Sequence, residues 1–189
     1  CFRGTSMRWL SSRSAGCMHL RPSRHCATGN TPTEARFVRL FIFGTNRGQP
    51  CIDELEVYAV GSKGNLASAK VGAKATASSC LQGYAIHKIE HLNDGRYGNS
   101  HSWIAGGREN EWAQIELTKP ASIDRIVFSR DRSKQHDDRI PSAFDVRVSM
   151  DGETWKTVRT IRTAAAIART VSPGSSKSSS RWTAGTGTR

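Results

Sequence analysis

The chain has 189 residues, a formal net charge of +12 and a mean hydropathy of −0.52. A chain of this length can bury one good hydrophobic core, so we expect one domain with loosely structured flanks. No apolar run approaches the ~18 to 20 residues that a membrane-spanning helix needs, and the sequence therefore predicts no such span.

The positive charge is concentrated in the two flanks. Residues 1–34 carry five basic and one acidic side chain, and residues 161–189 carry five basic and none acidic. Residues 35–160 hold 18 basic and 15 acidic side chains. A nucleic-acid-binding domain is expected to group its basic residues on the folded part, interleaved with aromatic rings. This distribution argues against nucleic acid as the partner of the folded domain.

The flanks themselves lack hydrophobic periodicity. Residues 1–34 mix Arg, Ser, Cys, Gly and Pro, and residues 161–189 are rich in Ser, Thr, Ala, Gly and Arg. Neither segment can bury enough apolar surface to offset the entropy lost on ordering. We therefore predict a disordered basic flank at each end, with a folded domain over residues 35–160.

The central region is predicted to form many short strands. Alternating apolar and polar residues occupy residues 36–42, 52–58, 112–117, 123–129 and 144–149. Asp151-Gly152 predicts a tight hairpin into residues 155–158. Residues 86–92 have helical spacing, but the segment is long enough for only a turn or two. This pattern indicates an all-β fold, either an antiparallel sandwich or a barrel.

Five cysteines give an odd number, and none has metal-type CxxC spacing. Cys1, Cys17 and Cys26 lie in the basic N-terminal flank. Cys51 and Cys80 lie among the predicted strands, where they form either a disulfide or two small buried thiols. The sequence leaves both alternatives open.

Several motifs, in one order along the chain, resemble the discoidin family, known from the type C domains of coagulation factors five and eight and from galactose-binding-like domains. They are Asn65-Leu66-Ala67, residues 75–79 (ATASS), Asn93-Asp94-Gly95 followed by Trp103, residues 111–117 (EWAQIEL) and residues 149–155 (SMDGETW). The resemblance implies a jelly-roll antiparallel β-sandwich of about eight strands.

The order of the motifs departs from the family at one place. The pair of segments that usually closes such a domain, residues 35–40 and 54–58, comes first here. Residues 35–59 are then either the end of a preceding copy or the closing strands of this domain, as in a circular permutation. We expect the second arrangement, because the first leaves unpaired edge strands beside an incomplete core.

The resemblance also implies a calcium site. In the family, the aspartate of the Asp-Gly turn and the glutamate that opens the last strand bind the ion together with nearby carbonyl oxygens, and calcium prefers such oxygen ligands. The matching positions are Glu54, Asp94, the carbonyls of His91 and Arg96, and Asn99. The alternative is that Asp94 forms only an Asx-turn and Glu54 is a solvated strand residue.

A sugar-binding site needs planar donors for hydroxyl pairs and aromatic rings for the C–H face of the sugar. The residues that offer these groups near the predicted loops are Tyr84, His101, Trp103, Arg130, Arg132 and His136. Trp103 has a competing interpretation, because large rings pack well in the core of a sandwich.

These patterns predict a non-catalytic binding module for carbohydrate or glycoconjugate, acting in adhesion at a cell surface. The alternatives are a module for protein or anionic lipid, or nucleic-acid binding through the basic flanks. The chain has no GxSxG, HExxH or P-loop motif, so we expect no enzymatic activity. The resemblance places it in a larger secreted, periplasmic or cell-surface protein, although no signal peptide is visible.

Overall fold

The computed structural model describes residues 15–19, 32–132 and 135–162, and strands dominate this part of the chain. The strands are β1 (Ala15–His19), β2 (Thr33–Thr45), β3 (Cys51–Ile52), β4 (Glu54–Ala59), β5 (Lys74–Ala77), β6 (Trp103–Ile104), β7 (Glu111–Ser129), β8 (Pro141–Ser149) and β9 (Lys156–Arg162). The helices of the described part are single 3-10 turns at Ala69–Val71 and Ile89–Leu92. The predicted all-β class is confirmed.

The strands form one seven-stranded antiparallel sheet and a separate β3–β6 pair. The order β1-β7-β2-β8-β9 runs through the large sheet, and β4 and β5 also pair with β7. The first half of β7 pairs with β2 and β5, whereas its last five residues pair with β4 on one side and β1 on the other. The long strand thereby joins the two halves of a β-sandwich, the architecture that the sequence predicted.

The nineteen residues of β7 were predicted as two strands separated by Thr118-Lys119-Pro120. The structure has one strand, because these three exposed residues continue in extended conformation. None of residues 117–120 is in register with a neighbouring described strand, so the missing N–H of Pro120 breaks no ladder. The register of β2 with β7 shifts between Ala35 and Phe37, opposite this unpaired stretch.

Residues 35–59 lie within the same sandwich as the rest of the domain. β2 is hydrogen-bonded to β7 on one side and to β8 on the other, and β4 pairs with the end of β7. Leu40 and Ile42 of β2 are buried in the same hydrophobic core as Ile115 of β7. β2 and β4 are therefore strands of the same sheet as β7 and β8.

Two parts of the predicted flanks form strands in the structure. β1 lies inside residues 1–34, where the sequence predicted disorder, and pairs with Arg125–Ser129. Its backbone pairs with the edge of β7 opposite β4, which would otherwise be an unpaired edge. At the other end, β9 extends past residue 160, and Ile161 packs against the core. Residues 1–14, 20–31 and 163–189 lie outside the described residues.

Both cysteines of the central region are thiols. Cys51 is fully buried in β3, and Cys80 lies at the surface of the core with its Sγ 3.3 Å from the carbonyl oxygen of His87. Burial raises the pKa of Cys51 to about 12. Of the two alternatives for this pair, the structure has the free thiols.

Candidate functional site

Loops from three parts of the chain meet at one end of the sandwich, which we call the loop end (residues 46–53, 81–105, 129–132 and 135–140). The amide of Ala105 donates to the carbonyl of Pro50 at 3.0 Å, and the amide of Cys51 donates to the carbonyl of Arg139 at 3.0 Å. The amide of Asp53 donates to the carbonyl of Ser129 at 2.8 Å. These bonds hold the loops to one another through their backbones.

A buried ion network fixes the centre of the loop end. Asp53 accepts hydrogen bonds from the amides of Gly98 (2.9 Å) and Asp131, and its second oxygen lies 3.8 Å from the Arg130 guanidinium. Arg130 is 1% exposed and also contacts Asp138 at 3.0 Å. Arg130 was predicted to bind ligand, but the structure buries its guanidinium and pairs it with carboxylates of the chain.

Glu54 and Asp94 come together although 40 positions separate them. Glu54 opens β4, is fully buried, and accepts a hydrogen bond from the Gly95 amide at 3.0 Å through Oε2. Its other oxygen, Oε1, is buried without a hydrogen-bond partner. Burial raises the pKa of Glu54 to about 8, and the negative charge of Asp94 acts in the same direction. Glu54 is therefore not the solvated residue of the alternative interpretation.

Asp94 does form the Asx-turn that the same alternative described. Its Oδ1 accepts a hydrogen bond from the Arg96 amide at 2.7 Å, and its Oδ2 lies 3.3 Å from His101 Nδ1. Gly95 has a φ of 79°, which gives the turn a conformation that favours glycine. The carboxylate thus lies at the surface of the loop end, directly beside the turn that contacts Glu54.

The other predicted metal ligands also contact neighbouring side chains of the loop end. His91 places its ring next to that of His101, with the centroids 5.1 Å apart. Asn99 Oδ1 accepts from Arg130 at 3.3 Å, which directs this side chain toward the buried ion network. Arg96 contributes its amide to the Asp94 turn and has an exposed side chain.

Tyr97 and Glu56 were missed by the sequence reasoning, and with Arg132 they form a platform at the loop end. The Tyr97 hydroxyl donates to Glu56 Oε1 at 2.7 Å, and the Arg132 guanidinium lies 3.5 Å from the centre of the Tyr97 ring. Arg132 is further held by Ser129 Oγ at 3.0 Å and by Glu56 at 3.5 Å. The alternation Glu54-Leu55-Glu56 could have indicated Glu56, because residues two apart on a strand share a face and Glu54 was already a candidate.

The remaining predicted ligand-binding residues divide into exposed and buried ones. Tyr84 is 57% exposed, with its ring 5.8 Å from that of His87, and His136 is exposed in the loop after β7. His101 is half-buried. Trp103 is fully buried, and its Nε1 donates to the Ser79 carbonyl at 2.8 Å. Trp103 therefore exposes no ring face to a ligand. It is a core residue, which was the second interpretation of the sequence.

The family model of the F5/8 type C domain matches residues 74–185, more than half of the chain. The chain belongs to the F5/8 type C, or discoidin, domain family. The searches of curated proteins and of solved structures returned no match. Domains of this family are generally binding modules rather than enzymes, often within multi-domain proteins, and they occur in extracellular or secreted proteins.

The family match begins at the first residue of β5 and so excludes β1 to β4. β2 and β4 nevertheless supply neighbours to β7 and β8 in the same sheet. In the described part of the chain, no helix is both long and apolar enough to cross a membrane.

Proposed function

We propose that this chain is a non-catalytic module that binds carbohydrate at the loop end. The observation that carries the proposal is the platform of Tyr97, Arg132 and Glu56. Tyr97 is 37% exposed, and the Arg132 side chain is 42% exposed. A planar guanidinium stacked over an aromatic ring is held in a fixed orientation and offers paired donors for sugar hydroxyls.

The platform is held in place before any ligand arrives. Glu56 is largely buried, accepts the Tyr97 hydroxyl, and lies within ion-pair distance of Arg132. A long arginine side chain normally loses rotamer entropy when it binds a ligand, and this anchoring reduces that loss. Tyr84 and His101 provide additional aromatic groups on the loop end. We place the module in a larger secreted, periplasmic or cell-surface protein, attached to a glycoconjugate.

We further propose that calcium stabilises the loop end at Glu54 and Asp94. The residues fit the ion because both supply carboxylate oxygens, and Glu54 Oε1 is buried without a hydrogen-bond partner. Carbonyl oxygens of His91 and Arg96 would complete the set of oxygen ligands. The ion would supply positive charge at a place where burial, together with the negative charges of Asp94 and Glu56, raises the pKa of Glu54. The ion would fix the Asp94 turn, and Tyr97 of the platform follows this turn by three residues.

A glycan array tests the carbohydrate proposal, probed with the wild-type chain in calcium and in chelator. We expect Arg132→Ala to weaken binding by about 10- to 100-fold, since a hydrogen bond to a charged group contributes ~1.5 to 3 kcal/mol. Arg125→Ala is the matched control. Arg125 also stacks on a tyrosine, Tyr58, at 3.7 Å, but this pair lies on the β4–β7 ladder and outside the loop end. This variant should bind like the wild type.

Two results would overturn the carbohydrate proposal. One is an array on which no glycan binds the wild-type chain, and the other is equal loss of binding in both arginine variants. A parallel experiment measures binding of the chain to vesicles that contain phosphatidylserine. Binding to these vesicles without any glycan binding would replace carbohydrate by anionic lipid as the ligand class.

A further inference from the structure

Beside the carboxylates at the start of β4, the loop end holds a second group of candidate metal ligands with different chemistry. His91, Asp94 and His101 each offer one ligand atom, and these atoms all lie within 4.8 Å of one another. All three residues are half-buried. Two imidazole nitrogens and one carboxylate suit zinc and similar transition metals, whereas calcium and magnesium prefer oxygen ligands alone.

The His91 ring is oriented as in a metal-binding histidine. Its Nδ1 lies 3.1 Å from the carbonyl oxygen of Ile86 and 3.4 Å from that of Ser102. Because a carbonyl oxygen can only accept, Nδ1 of the neutral ring carries the proton and Nε2 keeps the lone pair. Metal-bound histidines usually donate their second N–H to a carbonyl or carboxylate in this way, which fixes the ring and its tautomer.

His101 and Asp94 already have the spacing of two ligands on one ion. His101 Nδ1 lies 3.3 Å from Asp94 Oδ2, close to the roughly 3.3 Å between ligand atoms around a tetrahedral zinc with bonds of about 2.0 to 2.1 Å. The other oxygen of Asp94 is held by the Arg96 amide at 2.7 Å. The amide of His101 donates to the Gly98 carbonyl at 2.9 Å, which closes the loop that carries both residues.

The backbone around these three residues is anchored in the core. The 3-10 turn Ile89–Leu92 carries His91 and ends on Leu92, which is fully buried. The neighbouring Asn93 is also buried, and its amide group donates to the carbonyls of Ala67 (2.7 Å) and Ala73 (3.1 Å). Side chains carried by anchored backbone lose less entropy when an ion binds them.

The geometry points to a binding site for one divalent transition metal ion of the zinc type, formed by His91, Asp94 and His101. Water would complete the coordination, since three protein ligands leave a position open on a tetrahedral ion. The ion would replace the hydrogen bond between His101 and Asp94 and link the 3-10 turn to the 94–101 loop. This site goes beyond the proposed sugar and calcium binding. It shares Asp94 with the calcium ligands, and it uses the ring of His91, whereas calcium would use the His91 carbonyl.

Zinc titration of the full chain tests the inference, by isothermal calorimetry in metal-free buffer. We expect a site of one zinc per chain that is weakened in both His91→Ala and His101→Ala. Replacing a partner that only orients a ligand costs about 10- to 100-fold in metal affinity, so loss of a ligand should cost at least tenfold. His136→Ala is the matched control, since His136 is an exposed histidine on a different loop. It should bind zinc as the wild type does.

Two further measurements separate this site from other binding. Cobalt(II) bound at the site should show an absorption spectrum without the intense near-ultraviolet band of a thiolate ligand, which excludes the five cysteines. Glu54→Gln should lose calcium binding and keep zinc binding. A chain that binds zinc but not calcium would refute the calcium proposal alone. Equal zinc affinity in the wild type and His101→Ala, or a thiolate band, would overturn the inference.

Discussion

Charged side chains find partners on the outer face of the sheet more completely than at the loop end. The outer face consists of the outward side chains of β2, the first half of β7, β8 and β9. On the outer face, Asp145 accepts hydrogen bonds from Thr160 (2.7 Å) and Arg147 (3.0 Å) and lies 3.5 Å from Arg162. Burial alone would raise the pKa of Asp145, but these bonds and charges together lower it.

Arginines on the outer face are also covered by aromatic rings. The Arg39 guanidinium lies 4.3 Å from the centre of the Trp112 ring and 3.8 Å from that of Trp155, and it donates twice to Gln114. Arg147 has a buried Nε without a hydrogen-bond partner, but its guanidinium lies 4.0 Å from the Phe41 ring. Charge on this face is matched within the sheet, which is what a stabilising surface requires.

At the loop end, by contrast, carboxylate oxygens are buried without hydrogen-bond partners. Asp53 Oδ1 and Glu54 Oε1 are both of this kind, and burial raises the pKa of each carboxyl. A buried polar atom without a partner costs free energy that packing elsewhere must offset. The comparison teaches that the outer face pairs its charged groups within the sheet, whereas the loop end buries Glu54 Oε1 without a hydrogen-bond partner.

The largest expected effect comes from removing the one buried arginine of the loop-end ion network. Arg130→Ala leaves Asp53 as an uncompensated buried charge, so the free energy of unfolding should fall by about 3 to 5 kcal/mol. Urea denaturation measures this change. Arg132→Ala is the control, because its partly exposed ion pair with Glu56 should contribute no more than about 1 kcal/mol. Similar losses in the two variants would contradict the buried network.

The next effect concerns Glu54, whose pKa in the folded chain is raised from 4.5 to about 8. The fold therefore favours the protonated carboxyl. This contribution to stability is complete below the unfolded pKa and is lost as the pH rises from about 4.5 to about 8. In chelator, the melting temperature should fall across this range, and Glu54→Gln should remove that part of the dependence.

Calcium should reverse the loss at the upper end of this pH range. An ion that binds only the folded chain at a hundredfold excess over its Kd stabilises it by roughly 2.7 kcal/mol. Asp94→Ala should abolish the calcium response, while Glu56→Gln should keep it, since Glu56 contacts Tyr97 and Arg132 instead. If neither calcium nor chelator changes the melting temperature, the proposal that Glu54 and Asp94 bind calcium is wrong.

A smaller effect is expected on the outer face. Arg39→Ala removes the guanidinium that contacts two tryptophan rings and should lower the free energy of unfolding by about 1 to 2 kcal/mol. Arg39→Lys should recover part of this loss, because the ammonium keeps the charge but lacks the planar stack. The loss in Arg39→Ala should be the same with calcium and with chelator. A calcium-dependent loss would show that the two regions are coupled.

The fold could be predicted because alternation and turn residues are local signals, and strands β2, β4, β8 and β9 lie close to where the alternation placed them. The proximity of Glu54 and Asp94 came from the family resemblance, since 40 residues separate them. Trp103 was open to two interpretations, because its burial depends on packing around the β3–β6 pair.

The platform at the loop end could not be predicted in the same way. The position of Tyr97 depends on the path of the loop between Gly95 and Gly98, whose φ angles are 79° and 101°. No periodic pattern encodes such a path, because glycine permits many conformations at each position. Arg130 and Arg132 also look alike in the sequence, and only the tertiary structure buries the first and exposes the second.

The smallest expected effect tests how far the anchoring of Tyr97 matters for ligand binding. Tyr97→Phe keeps the ring under Arg132 but removes the hydrogen bond to Glu56, so the free energy of unfolding should fall by about 0.5 to 1.5 kcal/mol. If the platform binds sugar through the ring and the guanidinium, Tyr97→Phe should weaken binding to the best glycan only a few-fold, whereas Tyr97→Ala should weaken it far more. Surface plasmon resonance with that glycan measures both. Equal affinities for the wild type and Tyr97→Ala would show that the sugar does not contact this ring, and the proposed site would then have to lie elsewhere on the loop end.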